Sequence, residues 1–120
     1  MSLEWANYRH FTRDVDFPDG DPQPELLELL DEAREHAGIP FVVTSGVRTP
    51  ERNEAVGGTQ SSAHTRGLAA DLRAETSRER FLILEALILH GAQRIGVYPT
   101  HIHVDVDESL PECVCWMPDD

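Results

Sequence analysis

The sequence predicts an α+β fold, in which a small antiparallel sheet has helices packed on one of its sides. Three observations lead to this prediction. Apolar residues recur at helical spacing over residues 25–37. A second helix is indicated over residues 78–90 by the start and stop signals at its ends. Two segments rich in strand-forming residues, 94–98 and 101–106, are joined by only Pro-Thr, as in a tight antiparallel connection.

Along the chain, residues that start, stop or interrupt regular structure indicate where each predicted helix and strand begins and ends. Prolines and a glycine make residues 16–24 rich in turns. The first helix ends before Gly38, and residues 41–45 (FVVTS) are predicted to form a short buried strand. Residues 46–67 are rich in Gly, Ser, Thr and Asn, which predicts irregular structure apart from a helical turn near residues 51–55.

Residues 68–74 (LAADLRA) are predicted to form the next strand. Thr76 and Glu79 have the spacing of a capping box at the start of the second helix, and Gly91 follows its end. Two aromatic residues near the ends of the chain are expected to close the core, Phe11 and Trp116.

Length and charge limit the classes of protein to which the chain can belong. At 120 residues it is expected to form a single domain spanning 1–120. Its 22 acidic and 10 basic residues give a net charge of −12, which argues against a nucleic-acid partner. No segment approaches the roughly 18 apolar residues that span a membrane, and the first residues lack a signal-peptide pattern. We therefore expect a protein that is cytoplasmic as synthesised and not inserted in a membrane.

The two cysteines, Cys113 and Cys115, are too close in sequence to favour a disulfide with each other. A structural zinc knuckle would need a second cysteine pair, which the chain lacks. Free thiols suit a reducing compartment.

Alternation along residues 101–106 divides this strand into an apolar face and a polar face. The apolar face suits a core and carries Ile102, Val104 and Val106. The polar face carries His101, His103 and Asp105. Taken alone, this polar face is as compatible with a solvent-exposed strand as with a functional site.

Asp71 favours a functional site because it interrupts the otherwise apolar stretch LAADL of the strand predicted over residues 68–74, where an unpaired carboxylate would be costly to bury. A metal ion is a suitable partner. Two neutral imidazoles and one carboxylate are a known ligand set for catalytic zinc, with water in the fourth position. The spacing of His64, Asp71 and the histidines of the later strand is not that of a helical zinc motif. The residue types therefore indicate a candidate metal site and no more.

The sequence also resembles a known family. The stretch SSAHTRGLAAD contains the pattern S-x-H-x-x-G-x-A-x-D, and HIH supplies a second motif, H-x-H. The upstream stretch SGVRTPERNEAVGG and the later IGVYPTHIHVD fit the same family. These motifs are similar to those of the zinc D-alanyl-D-alanine carboxypeptidases, which include phage endolysins and share their fold with the hedgehog signalling domain. The resemblance covers about residues 11–106.

The resemblance implies roles for individual residues. It makes His64, Asp71 and His103 the ligands of one zinc ion per chain. It implies that Arg48 holds the carboxylate or a backbone carbonyl of the substrate, which suits a permanently charged guanidinium. Ser62 is expected to add a hydrogen bond to the substrate. Three glycines are expected to permit turns rather than take part in chemistry, Gly57, Gly58 and Gly67.

One position departs from the family pattern. Many members carry a catalytic Glu or Asp three residues before the second zinc histidine, where this chain has Thr100. A threonine cannot act as a base near neutral pH. Other branches place the first histidine of H-x-H near the reacting water, so His101 is the candidate general base or transition-state stabiliser. Asp105 is expected to orient a ligand histidine from the side away from the metal.

The resemblance implies a zinc metallopeptidase that hydrolyses peptidoglycan stem peptides or other peptides containing D-Ala-D-Ala. A D,D-carboxypeptidase and an endopeptidase both fit the motifs, and a phage-type lysin would reach the cell wall after its release. The alternative is a non-catalytic, zinc-containing binding module of the same fold, for which the hedgehog domain is a precedent. Thr100 is the observation that favours this alternative.

Overall fold

The computed structural model describes residues 3–55 and 62–119 and confirms the predicted α+β class. The helices of this part of the chain are α1 (Arg13–Asp16), α2 (Pro24–Ala37), α3 (Pro50–Ala55) and α4 (Ser77–Leu89). The strands are β1 (Val43–Ser45), β2 (Ala69–Arg73), β3 (Arg94–Val97), β4 (His101–Asp105) and β5 (Val114–Trp116). Short 3-10 helices cover Trp5–Asn7 and Ala63–Arg66.

The five strands form one sheet in the order β1-β2-β4-β3-β5. The pairs β1–β2, β2–β4 and β4–β3 are antiparallel, as predicted. Strand β5 is not among the predicted strands, and it pairs parallel with β3 at the edge of the sheet. Its three residues follow Cys113, which has a left-handed φ of 59°. A segment this short carries too little periodicity to identify it from the sequence.

The two long helices begin and end close to their predicted bounds. Helix α2 begins at Pro24, and Gly38 ends it with a φ of 71°, a conformation that glycine adopts at little cost. Helix α4 begins with the predicted capping box. The hydroxyl of Thr76 accepts a hydrogen bond from the N–H of Glu79, whose carboxylate accepts one from the N–H of Thr76. The predicted helical turn near residues 51–55 is α3.

The core lies between one face of the sheet and the helices α2 and α4. From the sheet it contains the buried side chains of Ala70, Leu72, Ile95, Ile102 and Val104. The prediction that helices pack on one side of the sheet is therefore confirmed. Phe11 belongs to this core, as predicted.

The prediction that Trp116 closes the core is wrong. Its side chain is half-buried and contacts the ring of His103, on the face of the sheet that points away from the core. The reason is strand pairing, because β5 places Trp116 beside Gly96 at the sheet edge. Alternation along β4 puts His101, His103 and Asp105 on this same face, opposite the buried Ile102 and Val104.

Two features bear on the expectations drawn from composition. Cys113 and Cys115 are both free and exposed. Over the described ranges, no helix combines the length and apolar character that a membrane crossing requires.

Candidate metal centre

Two imidazoles and one carboxylate meet on the polar face of the sheet. Asp71 of β2 lies directly opposite His103 of β4 in the antiparallel pairing. His64 comes from the 3-10 helix that precedes β2. The ligand atoms of these three side chains all lie within 4.8 Å of one another, and no other such group of histidine, cysteine or acidic residues occurs in the described parts of the chain. The fold thus brings together the three residues predicted to bind metal.

The ring of His64 is held so that one nitrogen faces Asp71. Its backbone N–H donates to the hydroxyl of Ser62 at 3.2 Å, and Gly67, with a φ of 74°, ends the 3-10 helix. Nδ1 lies 2.8 Å from the carbonyl oxygen of Gly46 and donates to it, since a carbonyl can only accept. Nε2 lies 3.4 Å from Oδ1 of Asp71. It donates to this oxygen when the ring is protonated and offers a lone pair to a metal when the ring is neutral.

Asp71 is only 8% exposed and has three cationic or potentially cationic neighbours. Nδ1 of His103 lies 3.0 Å from its Oδ1, and Nη2 of Arg48 lies 3.5 Å from its Oδ2. Burial raises the pKa of this carboxyl group, but hydrogen bonds from His103 and His64, together with their charges, outweigh burial and hold the pKa well below its usual range. Asp71 is therefore ionised at neutral pH and can act as a metal ligand.

His103 lies between two carboxylates. Its Nδ1 faces Asp71, and its Nε2 lies 2.8 Å from Oδ2 of Asp105. Burial alone would lower the pKa of His103, but the hydrogen bonds to Asp105 and Asp71 and their negative charges raise it to about 9. Without a metal the imidazole is protonated at neutral pH. A metal ion would replace the proton on Nδ1, while Nε2 would still donate to Asp105.

This donor set fits zinc. Two imidazole nitrogens and a carboxylate oxygen are a ligand set of catalytic zinc sites, which keep a fourth position for water or substrate. Metal-binding histidines usually donate their second ring N–H to a carbonyl or carboxylate. Both imidazoles have such a partner here, the carbonyl of Gly46 for His64 and Asp105 for His103.

Arg48 lies beside the three residues, and three contacts hold its guanidinium. Nε donates to the hydroxyl of Ser45 at 3.0 Å, Nη1 donates to the side-chain oxygen of Asn53 at 3.3 Å, and Nη2 faces Asp71. Its backbone N–H donates to the carbonyl of His64. These contacts place a permanent positive charge at the edge of the site, where the predicted substrate-binding role requires it. The role itself stays a prediction.

Ser62 has a structural role in addition to the predicted contact with substrate. Its hydroxyl accepts the N–H of His64 and so caps the 3-10 helix that carries this residue. The positive φ of Gly67 agrees with its predicted use in a turn. Gly57 and Gly58 lie outside the described residues.

His101 is the neighbour of His103 on the polar face, but it is not one of the three converging residues. Its ring stacks on Tyr98, with centroids 4.6 Å apart and planes 3° apart. The adjacent Thr100 is exposed, and its carbonyl accepts a hydrogen bond from the N–H of Ala74. The proton-transfer role of His101 stays a prediction.

Asp105 lies where the predicted orienting role requires it. It is only 2% exposed, its Oδ2 contacts Nε2 of His103, and its Oδ1 accepts a hydrogen bond from Nε of Arg94 at 2.8 Å. Sequence reasoning missed Arg94 and Trp116. Alternation along β3 could have indicated Arg94, which shares a face with the site, but Trp116 reaches His103 only through the pairing of β5 with β3.

Three converging ligands of this kind are typical of zinc hydrolases, whereas structural zinc sites are closed by four protein ligands. Within that class the chain belongs to the peptidase M15 family, whose model matches residues 6–107. This is the family of zinc peptidases of the D-Ala-D-Ala carboxypeptidase type, so the resemblance drawn from the sequence motifs is confirmed. A comparison with curated proteins found no match.

In the metal-free protein, we expect the free energy of unfolding to fall as the pH rises from about 6.5 to about 9. The pKa of His103 is about 9 in the folded state and 6.5 for an unperturbed histidine, so the folded state binds the proton more tightly. The stability that His103 contributes is therefore fully present below pH 6.5 and is lost as the pH rises through 9. Denaturant titrations of chelator-treated protein measure this fall. His103→Gln should show a smaller fall, and equal falls in both proteins would contradict the prediction.

Proposed function

We propose that this protein is a zinc-dependent peptidase that hydrolyses peptidoglycan stem peptides or other peptides containing D-Ala-D-Ala, as a D,D-carboxypeptidase or as an endopeptidase of the endolysin type. The observation that carries the proposal is the convergence of His64, Asp71 and His103 in a chain of the M15 family. One zinc ion per chain is expected.

In this proposal Nε2 of His64, a carboxylate oxygen of Asp71 and Nδ1 of His103 hold the zinc. When bound, zinc supplies a Lewis acid that polarises a carbonyl oxygen and lowers the pKa of water. The chain itself orients the ligands. The carbonyl of Gly46 sets the ring of His64, and the buried Asp105 sets the ring of His103, so the ligand atoms remain directed at one point.

Arg48 binds the substrate in this proposal. The chain carries a net charge of −12, yet this arginine puts a positive charge beside the ligand group. A guanidinium has five N–H donors, so it can hold a carboxylate or backbone carbonyl of the substrate in addition to its contacts with Ser45 and Asn53. The C-terminal carboxylate of a D-Ala-D-Ala peptide suits such a partner. Ser62 adds a hydrogen bond to the bound peptide.

His101 handles the proton in this proposal, because the two other candidates near it are unsuitable. Thr100 has no acid–base chemistry near neutral pH. Both oxygens of Asp105 are engaged, one by Arg94 and the other by His103, and Asp105 is almost completely buried. His101 is half-buried on the same strand face as His103, and stacking on Tyr98 orients its ring.

The second candidate is a non-catalytic, zinc-containing binding module of the same fold, and Thr100 is the observation that favours it. The two candidates differ at the fourth ligand position, which an enzyme keeps open and a structural site closes. Across residues 3–55 and 62–119, no fourth histidine, cysteine or acidic residue joins the ligand group. This supports the enzyme.

Digestion of defined muropeptides tests the proposed function. Zinc-loaded protein should cleave a stem peptide, and chelator-treated protein should not, because the Lewis acid is then absent. Mass spectrometry of the products distinguishes release of a terminal D-Ala from internal cleavage. His64→Ala should lose both zinc and activity, since three protein ligands leave little redundancy.

The control for this experiment is His36→Ala, which removes an exposed histidine of α2 and should keep one zinc per chain by elemental analysis. Full zinc occupancy in His64→Ala would show that the ligands are assigned wrongly. Zinc binding by the wild type without cleavage of any muropeptide would favour the binding module.

At saturating zinc, Arg48→Ala should still hold one zinc per chain but lower turnover of a muropeptide by up to about 100-fold, because substrate positioning is lost while the three ligands remain. Steady-state kinetics with zinc content measured on the same samples check this. Arg9→Ala is the control, since Arg9 is exposed and pairs with exposed Glu35. Wild-type kinetics in Arg48→Ala would remove this residue from the proposed substrate site.

His101→Ala should keep zinc and fold but reduce the rate by about 10²–10⁴, the usual scale for general acid–base catalysis. The pH–rate profile of this variant should also differ from that of the wild type, because a proton-transfer group has been removed. Profiles of the wild type, His101→Ala and Asp105→Ala on one muropeptide make the comparison. A near-normal rate and profile in His101→Ala would place the base elsewhere.

A further inference from the structure

Two residues without a role in the proposed reaction, Arg94 and Trp116, lie on the side of His103 that points away from Asp71. Arg94 lies directly opposite Asp105 in the pairing of β3 with β4. Its Nε donates to Oδ1 of Asp105 at 2.8 Å, and Oδ2 of Asp105 lies 2.8 Å from Nε2 of His103. Guanidinium, carboxylate and imidazole therefore form a continuous hydrogen-bonded chain that ends at the proposed metal site.

Two further contacts hold the guanidinium of Arg94 in place. Nη1 donates to the carbonyl oxygen of Pro111 at 2.6 Å, and the guanidinium carbon lies 5.1 Å from the centre of the Trp116 ring, within the range of a cation–π contact. Only 13% of the Arg94 side chain is exposed. Because Asp105 is buried, its charge requires a well-placed partner, and Arg94 supplies one.

The ring of Trp116 occupies the space that a side chain at position 96 would fill. Gly96 lies opposite His103 in β4 and beside Trp116 in β5. A Cβ atom added at Gly96 would come within 2.6 Å of Cε2 and Nε1 of Trp116. The absence of a side chain lets the ring contact both Arg94 and His103, and its centroid lies 5.4 Å from that of His103. Its Nε1 donates to the hydroxyl of Tyr98 at 2.8 Å, which sets the orientation of the ring.

We propose that Arg94 and Trp116 are positioning residues of the metal centre. Arg94 acts through Asp105, Trp116 acts by direct ring contact, and together they hold His103 with Nδ1 turned toward Asp71. The inference rests on the proposed metal binding by His64, Asp71 and His103. It adds β3 and the edge strand β5 to a site whose ligands come from β2, β4 and the preceding 3-10 helix.

Loss of the Arg94 charge would leave Asp105 buried with one partner fewer. Such a carboxylate is expected to move toward water or toward other donors, and His103 would then lose the acceptor that sets its ring. Removal of the outer hydrogen-bond partners of metal ligands usually weakens metal binding about 10- to 100-fold. Displacement of the Trp116 ring would remove the aromatic contact of the His103 imidazole, so the ring could turn more freely.

Zinc affinity, measured by competition with a chelator, tests the inference. We expect about 10- to 100-fold weaker zinc binding in Arg94→Gln. Arg94→Lys should lose less zinc affinity, because lysine keeps the positive charge but lacks the planar guanidinium. Gly96→Ala should also weaken binding, because it displaces the Trp116 ring without removing a hydrogen-bonding group. Arg73→Gln is the matched control, since Arg73 lies on the same sheet face with a half-exposed side chain paired to exposed Glu75.

A spectroscopic readout distinguishes positioning from a general loss of stability. The chain has two tryptophans, so Trp5→Phe leaves Trp116 as the sole source of tryptophan emission. Cobalt(II), added in place of zinc, should quench this emission because Trp116 contacts the ligand His103. In the Trp5→Phe background, saturating cobalt(II) should quench Trp116 emission less in the double variants that also carry Gly96→Ala or Arg94→Gln. Quenching should be unchanged in the double variant that also carries Arg73→Gln.

The outcomes separate the two proposals. A wild type that binds no zinc contradicts the proposed function, and this inference with it. A wild type that binds zinc, with unchanged affinity and quenching in Arg94→Gln and Gly96→Ala, overturns the inference alone. Circular dichroism checks the fold of each variant. If Arg94→Gln does not fold, Arg94→Lys and Gly96→Ala decide, and wild-type affinity in both overturns the inference.

Discussion

The candidate site depends on the burial of one imidazole between two carboxylates. His103 lies between Asp71 and Asp105, and each carboxylate contacts an arginine, Arg48 on one side and Arg94 on the other. The imidazole contacts one oxygen of each carboxylate directly, and each arginine contacts the other oxygen, so a positive charge on the ring is stabilised by the two nearest negative charges. The raised pKa of His103 expresses this preference for a proton. The same electrostatic field would favour a metal ion, and in the proposed site a proton and a metal would compete for Nδ1.

The sheet turns this electrostatic arrangement into a defined geometry. Strand pairing aligns five residues across all five strands, in the order Ser45, Asp71, His103, Gly96 and Trp116. Because side chains alternate along each strand, this row lies on the face opposite the helices, while the neighbouring positions build the core. The core thus holds the strands in register, and the register sets the distances between the polar groups.

Family, geometry and charge support different parts of the functional conclusion. Membership of the M15 family makes the chain a peptidase relative, and the His64–Asp71–His103 group is compatible with the zinc on which that family depends. The proposed substrate class rests on the positive charge of Arg48 and on the motifs. In the proposed mechanism Thr100 cannot transfer the proton, and both oxygens of Asp105 already have partners. His101 is therefore the proposed proton carrier.

Patterns in the sequence were enough to predict the fold class, the helices α2 and α4, the hairpin of β3 and β4, and the candidate ligand residues. These features are local, because helical spacing, capping residues and strand alternation act over a few neighbours along the chain. Alternation along β4 was enough to assign Ile102 to the core face of the sheet and His103 to the polar face. Three features became visible only in the folded chain: β5 pairs parallel with β3, Trp116 lies against Gly96 instead of in the core, and Arg94 contacts the Asp105 that contacts His103. These contacts depend on the register between segments far apart in sequence, and no local pattern specifies that register.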